Sequence, residues 1–148
     1  MAEPLLSVRD LAVQFRVSGR EMRAVDGVSF DLMPGQTLGI VGESGCGKSV
    51  TSLAIMRLLP SPPAEVTRGQ VLLEGRDLLT LPESDMRELH GGRMGMIFQE
   101  PMTSLNPVYT CGDQIIESLA VHSGLKGRAA RDRAIELLDL VGLPSPEK

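Results

Sequence analysis

The sequence predicts an α/β fold in which an antiparallel β-region at the N-terminus lies beside a parallel core, and three observations predict it. Residues Gly42-Glu43-Ser44-Gly45-Cys46-Gly47-Lys48-Ser49 read G-x-x-x-x-G-K-S, the pattern of a phosphate-binding, or Walker A, loop. The flanks are those the pattern requires: Thr37 to Val41 is a short, mostly apolar run expected to form a buried parallel strand, and Val50 to Leu59 is rich in helix formers. Around this loop, segments of strand-like and helix-like pattern follow one another, which is the order of an α/β domain whose ligand lies at the carboxyl ends of the strands.

Each loop position has a physical role. Gly42, Gly45 and Gly47 are expected to carry the backbone through positive φ and to let it approach a ligand. The successive N–H groups then form a nest for an anion, and the following helix points its positive end at the same place. Lys48 supplies a point charge for the β- and γ-phosphates, and the Ser49 hydroxyl suits Mg²⁺, which takes oxygen ligands. Glu43 is awkward beside phosphates, so its side chain is expected to face solvent, while Ser44 and Cys46 fill variable positions of the loop. A nucleophile elbow, G-x-S-x-G, is excluded because Cys46 stands at its fifth position.

Before the loop, Leu6, Val8, Leu11, Val13 and Phe15 alternate with polar residues over a strand from Leu5 to Phe15, and the alternation slips near Asp10, as at a bulge. Ser18-Gly19-Arg20-Glu21 is a turn, Met22 to Leu32 a second strand, and Met33-Pro34-Gly35 a tight turn. The helix from Val50 to Leu59 is apolar nearly all round, so burial on most sides is expected, with Pro60-Ser61-Pro62-Pro63 ending it. Gln70 to Leu73 is a strand turned by Glu74-Gly75, and Pro82 to Leu89 a short helix with Glu83 and Asp85 in its first turn. Met94 to Phe98 reads as a buried strand, and Glu100 to Pro107 as a loop. Two helices follow: Gly112 to Ser123, with Ile115, Ile116, Leu119 and Ala120 on one face, and Arg128 to Val141, with Ala130, Ala134, Ile135, Leu138 and Val141 at helical spacing. Gly142 caps the second. Lys126, Arg128, Arg131 and Arg133 are interleaved with Asp132 and Glu136, the pattern of a solvated face rather than a phosphate patch.

Composition narrows the function. Aromatic residues make up 3% of the 148 and tryptophan is absent, which leaves no stacking platform for single-stranded nucleic acid. The net charge of −4 comes with no concentrated basic stretch, so nucleic acid is not an expected partner. Cys46 and Cys111 are expected to be free thiols in a reducing compartment. The N-terminus has no signal-peptide pattern, and the longest apolar segment is interrupted by Arg57 and too short to span a bilayer.

A second motif narrows it further. Met96-Ile97-Phe98-Gln99-Glu100-Pro101-Met102-Thr103-Ser104-Leu105-Asn106-Pro107 strongly resembles the Q-loop region of ABC transporter ATP-binding subunits, in the branch that imports dipeptides, oligopeptides, glutathione and nickel. The resemblance extends over essentially the whole chain through Val41 to Gly45, Lys48 to Pro60 and Gly112-Asp113-Gln114-Ile115. It implies a P-loop NTPase fold, the ABC nucleotide-binding domain. Residues 1–98 would be the β-region and Walker A core, and residues 99–148 the Q-loop and the start of the helical subdomain. It further implies ATP and Mg²⁺ as ligands. Lys48 and the rest of Gly42 to Ser49 would bind nucleotide, Ser49 and Gln99 would ligate Mg²⁺, and Gln99 would orient the attacking water and sense the γ-phosphate. Phe15 stands where an aromatic residue of the family stacks on adenine; an ordinary place in the β-core is the competing reading. The implied partners are transmembrane permease subunits, a second ATP-binding subunit or domain and, indirectly, a periplasmic solute-binding protein, with the subunit peripheral on the cytoplasmic face of the inner membrane.

The chain departs from the family after Lys148: the Leu-Ser-Gly-Gly-Gln signature, Walker B, the catalytic glutamate and the switch histidine are not in the sequence. His90 and His122 lie upstream of that histidine's place and read as surface or capping residues. The expectation is therefore the N-terminal part of an ABC-type ATPase, which alone binds Mg-ATP at best. Leu38 to Val41 and Met94 to Phe98 would then present apolar edges without strand partners. A non-catalytic nucleotide-binding module is the alternative of a different class. A kinase is a third reading, which the Gln99 loop does not resemble.

Overall fold

The alternation in the first thirty residues builds a long β-hairpin. In the computed structural model, which describes residues 3–98 and 104–147, β1 (Leu6–Val17) and β2 (Arg20–Leu32) pair antiparallel across Ser18-Gly19. Both turn residues have positive φ, 50° and 75°, the type I′ geometry whose twist matches the strands it joins. β3 (Ala64–Leu73) pairs antiparallel with the other side of β1, and a second turn with positive φ at Glu74 and Gly75 returns the chain into the short β4 (Arg76–Asp77). The sheet order is β2-β1-β3-β4.

The slip near Asp10 is a bulge. Val8 pairs with Phe30 and Leu11 with Val28, so β1 takes one residue more than β2; Val13 then pairs with Val25, and β2 takes the extra residue back at Asp26-Gly27. Asp10 sits at φ 48°, and its N–H, freed from the ladder, donates to Ser29 Oγ at 2.8 Å. β3 starts at Ala64, six residues earlier than the sequence predicts, because pairing with β1 overrides the polar Glu65-Val66-Thr67-Arg68 composition. Val8, Leu11, Val13, Val25, Ala64 and Val71 form the buried face, joined by Ala54, Ile55, Leu78 and Met86.

α1 (Lys48–Ile55) is shorter and less buried than predicted: only Thr51, Ala54 and Ile55 are buried. It ends before the prolines, at a Schellman cap. The Arg57 N–H donates to the Ala54 carbonyl (3.0 Å) and the Leu58 N–H to the Leu53 carbonyl (2.8 Å), with Arg57 at φ 51° where glycine is usual. The guanidinium compensates by donating to the carbonyls of Leu81 (2.6 Å) and Leu78 (3.2 Å). α2 (Glu83–Leu89) closes the unit Met1–His90, and His90, as a capping residue, donates from Nε2 to the Met56 carbonyl at 2.8 Å.

Two predicted strands do not form. Residues 37–41 and 95–98 make no ladder with any described strand, and their apolar side chains are exposed except for the half-buried Met96, Val41 at 92% and Ile97 at 98%. A strand needs a hydrogen-bonding neighbour on at least one edge, and none of the described strands supplies one. The expectation of buried strands is thus corrected, and with it that of strand edges at Leu38 to Val41 and Met94 to Phe98, where only Met94 makes a bridge, with the Gly91 N–H donating to its carbonyl at 2.7 Å.

The second unit, Gly91–Lys148, is a helical pair, α3 (Cys111–Ser123) and α4 (Gly127–Leu140). Thr110 caps α3, accepting from the Asp113 N–H (3.1 Å) and donating to its carboxylate (2.7 Å). The small Ala130 and Ala134 are the buried side chains of α4. Val141 falls outside the helix and is exposed, correcting its place in the apolar row, because Gly142 at φ 79° unwinds the chain there. Arg128 and Arg133 pair with Asp132 and Glu136 on the surface. Among the described residues no helix is long and apolar enough to cross a membrane.

On β2, the hydrogen bond from Arg23 holds the Asp26 carboxyl below its ordinary value of 3.8; the charges of Arg23 and Arg68 act in the same direction and desolvation opposes them. A depressed carboxyl stabilises the fold above its unfolded value, and the contribution is lost as pH falls through the lower folded value. Arg23→Ala should therefore raise the Asp26 titration midpoint toward 3.8 and flatten the rise of stability with pH just below it. Carboxyl NMR titration checks this, and an unmoved midpoint would discard the assigned cause.

Candidate functional site

The glycine-rich loop runs from residue 42 into the first turn of α1, and two of its three glycines have the conformation the sequence predicts. Gly45 is at φ 81° and Gly47 at φ 94°. Gly42 is not in the left-handed region; a Cβ there would lie 2.6 Å from Cys46 Sγ, so a side chain would displace the exposed Cys46 thiol. At Gly47 the constraint is double, since a Cβ would also meet the Ala24 carbonyl oxygen of β2 at 2.5 Å. The loop therefore rests backbone to backbone on β2.

Gly47 is the N-cap of α1 and offers no side chain to the helix's first N–H groups, and no acidic residue sits in that turn. Those donors and the positive end of the helix are left to whatever lies over the loop. The Thr51 N–H and hydroxyl both donate to the Gly47 carbonyl, at 2.8 and 2.9 Å, which fixes the helix start.

Lys48 folds back over the loop. Its ammonium donates to the carbonyls of Gly42 (2.6 Å) and Glu43 (2.7 Å) and lies 3.4 Å from Cys46 Sγ. The charge is thereby held on the loop by neutral acceptors, with no carboxylate among its hydrogen-bond partners within the described residues. Glu43 is exposed, as expected, and so are Ser44, Cys46 and Ser49. Cys46 and Cys111 are both free thiols. A cavity of about 350 Å³ between the loop and β2 is bordered by Ala24, Val25, Gly47, Lys48 and Thr51. A larger one of about 640 Å³ lies away from the loop, along β3 and the end of α1.

Of the other predicted site residues, Phe15 is half-buried on β1, opposite Met22 and Ala64. It stands two positions beyond Val13, whose partner Val25 lies against Gly47. It is not in the fully buried core, and it does not border the cavity at the loop. Gln99 lies outside the described residues. Among the described residues no three His, Cys, Asp or Glu side chains gather to hold a metal. The sequence reading missed the β2 platform at Ala24-Val25; the small residue at position 24 was its only signal.

The fold is that of an ABC transporter cassette. It superposes on the dimeric structure of the bacterial cassette MJ0796 with a TM-score of 0.79, at 21% identity, over 95% of this chain and 58% of that one. The sequence places it more closely: residues 25–148 match the ABC transporter family, and the chain belongs to that family. The oligopeptide transport ATP-binding protein OppD of Bacillus subtilis is 55% identical over 97% of this chain and 40% of its own length. The peptidoglycan transport ATP-binding protein YejF of Agrobacterium fabrum is 54% identical over 99% and 27%, and the dipeptide transport ATP-binding protein DppD of B. subtilis 51% over 97% and 43%. The chain spans less than half the length of these relatives.

The glycines of the loop differ in what they tolerate. Gly47→Ala puts a Cβ against fixed backbone and should cost roughly 2 kcal/mol or more, whereas Gly45→Ala meets nothing within 4 Å and should cost only the left-handed strain of about 1 kcal/mol. Urea unfolding of the two variants measures the difference. Equal losses would mean that the contact with β2 does not hold the loop.

Proposed function

We propose that this chain is the N-terminal part of the ATP-binding subunit of a bacterial peptide-type ABC importer, which couples ATP binding and hydrolysis to solute uptake. The observation that carries the proposal is the loop of residues 42–49. A helix N-terminus without a side-chain cap begins at Lys48, whose ammonium has neutral carbonyls and a thiol as its hydrogen-bond partners among the described residues. An anion of several charges is what such a site would take. The names of the relatives, all ATP-binding proteins of oligopeptide, dipeptide or peptidoglycan transport, support a peptide-type solute.

In this reading the phosphates of ATP lie on the N–H groups of Gly45 to Ser49, and Lys48 exchanges its loop carbonyls for β- and γ-phosphate oxygens. The donor set suits Mg²⁺: the exposed Ser49 hydroxyl would supply one oxygen ligand at the helix start, and Mg²⁺ characteristically binds through few protein groups together with substrate phosphates. When bound, Mg²⁺ would neutralise charge developing on the phosphates. Phe15 stacks on the adenine ring. Gln99 orients the attacking water and opens the functional division between residues 1–98 and 99–148. The apolar residues 37–41 and 94–98 take strand partners from the remainder of the subunit. The assembled transporter adds permease subunits, a second ATP-binding subunit or domain and an external solute-binding protein, with this subunit on the cytoplasmic face of the membrane.

Lys48→Ala should abolish tight Mg-ATP binding in calorimetry while leaving the far-ultraviolet circular dichroism unchanged; retained affinity would remove the loop from the account. In the full-length subunit, Gln99→Ala should lower ATP turnover about a hundredfold while changing ATP affinity far less. A wild-type turnover rate would withdraw the role given to Gln99.

A further inference from the structure

The stretch of β2 that supports the loop is where the sheet's own hydrogen bonding is weakest. Between the pairs Leu11↔Val28 and Val13↔Val25 the register of β1 and β2 shifts, and between Arg9 and Ala12 the register of β1 and β3 shifts as well. Asp26 and Gly27 fall in this gap, immediately after the Ala24-Val25 backbone against which Gly47 packs.

One side chain bridges the gap. Arg68 of β3 makes a two-pronged contact with Asp10 of β1, Nε to Oδ2 at 2.6 Å and Nη2 to Oδ1 at 3.1 Å. Its Nη2 also reaches Asp26 Oδ1 of β2 at 3.5 Å, and the other oxygen of Asp26 accepts from Arg23 at 2.8 Å. Gly27, at φ 76°, makes room: a Cβ there would lie 3.1 Å from Asp10 Oδ1 and 3.4 Å from Arg68 Nη2. A single exposed ion pair contributes little, but a two-pronged arginine in a network over three strands is the arrangement in which surface charges do hold geometry. The Arg68 guanidinium is held charged by the same carboxylates, Asp10 before Asp26.

We propose that Arg68 is a positioning residue for the phosphate loop: by gripping Asp26 across the break in the ladder it fixes the β2 backbone on which Gly47 rests, and so sets nucleotide affinity. The proposal rests on the reading of the loop as the ATP site. It goes beyond that reading because Arg68 touches neither the loop nor its ligand, and acts through Asp26 and Ala24-Val25.

The test uses the full-length subunit. Mg-ATP affinity is measured by calorimetry for wild type, Arg68→Gln, Asp26→Asn and the double variant, with thermal melts alongside. Each single change should raise Kd about two- to fivefold, and the double should fall short of the sum of the singles, since the Arg68–Asp26 link is lost in both while Arg68–Asp10 and Arg23–Asp26 are each lost in one. Arg68→Lys, which keeps the charge but not the fork, should fall between. KM for ATP should rise while kcat at saturating ATP stays at the wild-type value. Arg76→Gln, which breaks a surface pair with Asp85 away from the loop, should leave Kd unchanged. Wild-type Kd in Arg68→Gln, additive losses in the double, or an equal loss in Arg76→Gln would each overturn the proposal. If Arg68→Gln does not fold, Asp26→Asn, which keeps the Arg68–Asp10 contact, decides by the same criterion. A wild-type subunit that binds no Mg-ATP would instead remove the ATP reading of the loop, and this inference with it.

Discussion

The contact on which the site depends is the one between Gly47 and the Ala24 carbonyl. At Gly47 the chain leaves the turn through Ser44 to Cys46 and enters α1, and it does so with the N-cap in the left-handed region, at φ 94°. It must do so against the backbone of β2, close enough that a methyl group would overlap the carbonyl oxygen. A loop held only by its own turns would have many conformations open to it, and ordering them on binding would subtract from affinity. Resting the loop on a strand removes that freedom before any ligand arrives. The cost of a left-handed backbone falls on the one residue type that bears it easily.

The strand is in turn a compromise. A regular ladder from Leu6 to Val17 would have held β2 firmly, but three register shifts, at Asp10, at Asp26-Gly27 and at Ala24, interrupt it at the level of the loop. The interruption lets β2 turn its Ala24-Val25 backbone toward Gly47, and charge takes over the work of the missing hydrogen bonds. Asp10, Asp26, Arg23 and Arg68 are all more than half exposed, so what they supply is geometry rather than much net stability.

Much of this was legible in the residues. G-x-x-x-x-G-K-S fixes chemistry at each position, and positive φ at Gly45 and Gly47 follows from it. The slip of alternation at Asp10 revealed the bulge, and Met33-Pro34-Gly35 gave a turn with Gly35 at φ 73° and the Gln36 N–H returned to the Met33 carbonyl. What was not legible depends on partners distant in sequence. Residues 37–41 have the composition of a buried strand, but apolar content states only a preference for burial; the ladder belongs to two segments at once. Ala64 to Gly69 lacks that composition and is a strand because β1 offers it an edge. The Arg57 cap escaped notice for a related reason. Left-handed φ at a non-glycine residue is paid for by the carbonyls of Leu78 and Leu81, more than twenty residues on.

That cap completes the physical account of the loop. α1 has only eight residues, too few to be stable by its own hydrogen bonds. Its N-terminus is set by Gly47 on β2, and its C-terminus by Arg57 on the turn after β4 and by His90 on the Met56 carbonyl. A short helix pinned at both ends cannot tilt without breaking one anchor. The direction of its N–H groups is therefore decided by the sheet and by α2 together, not by the loop sequence. The glycines and Lys48 state what the loop can bind; β2, Arg57 and His90 determine where it points.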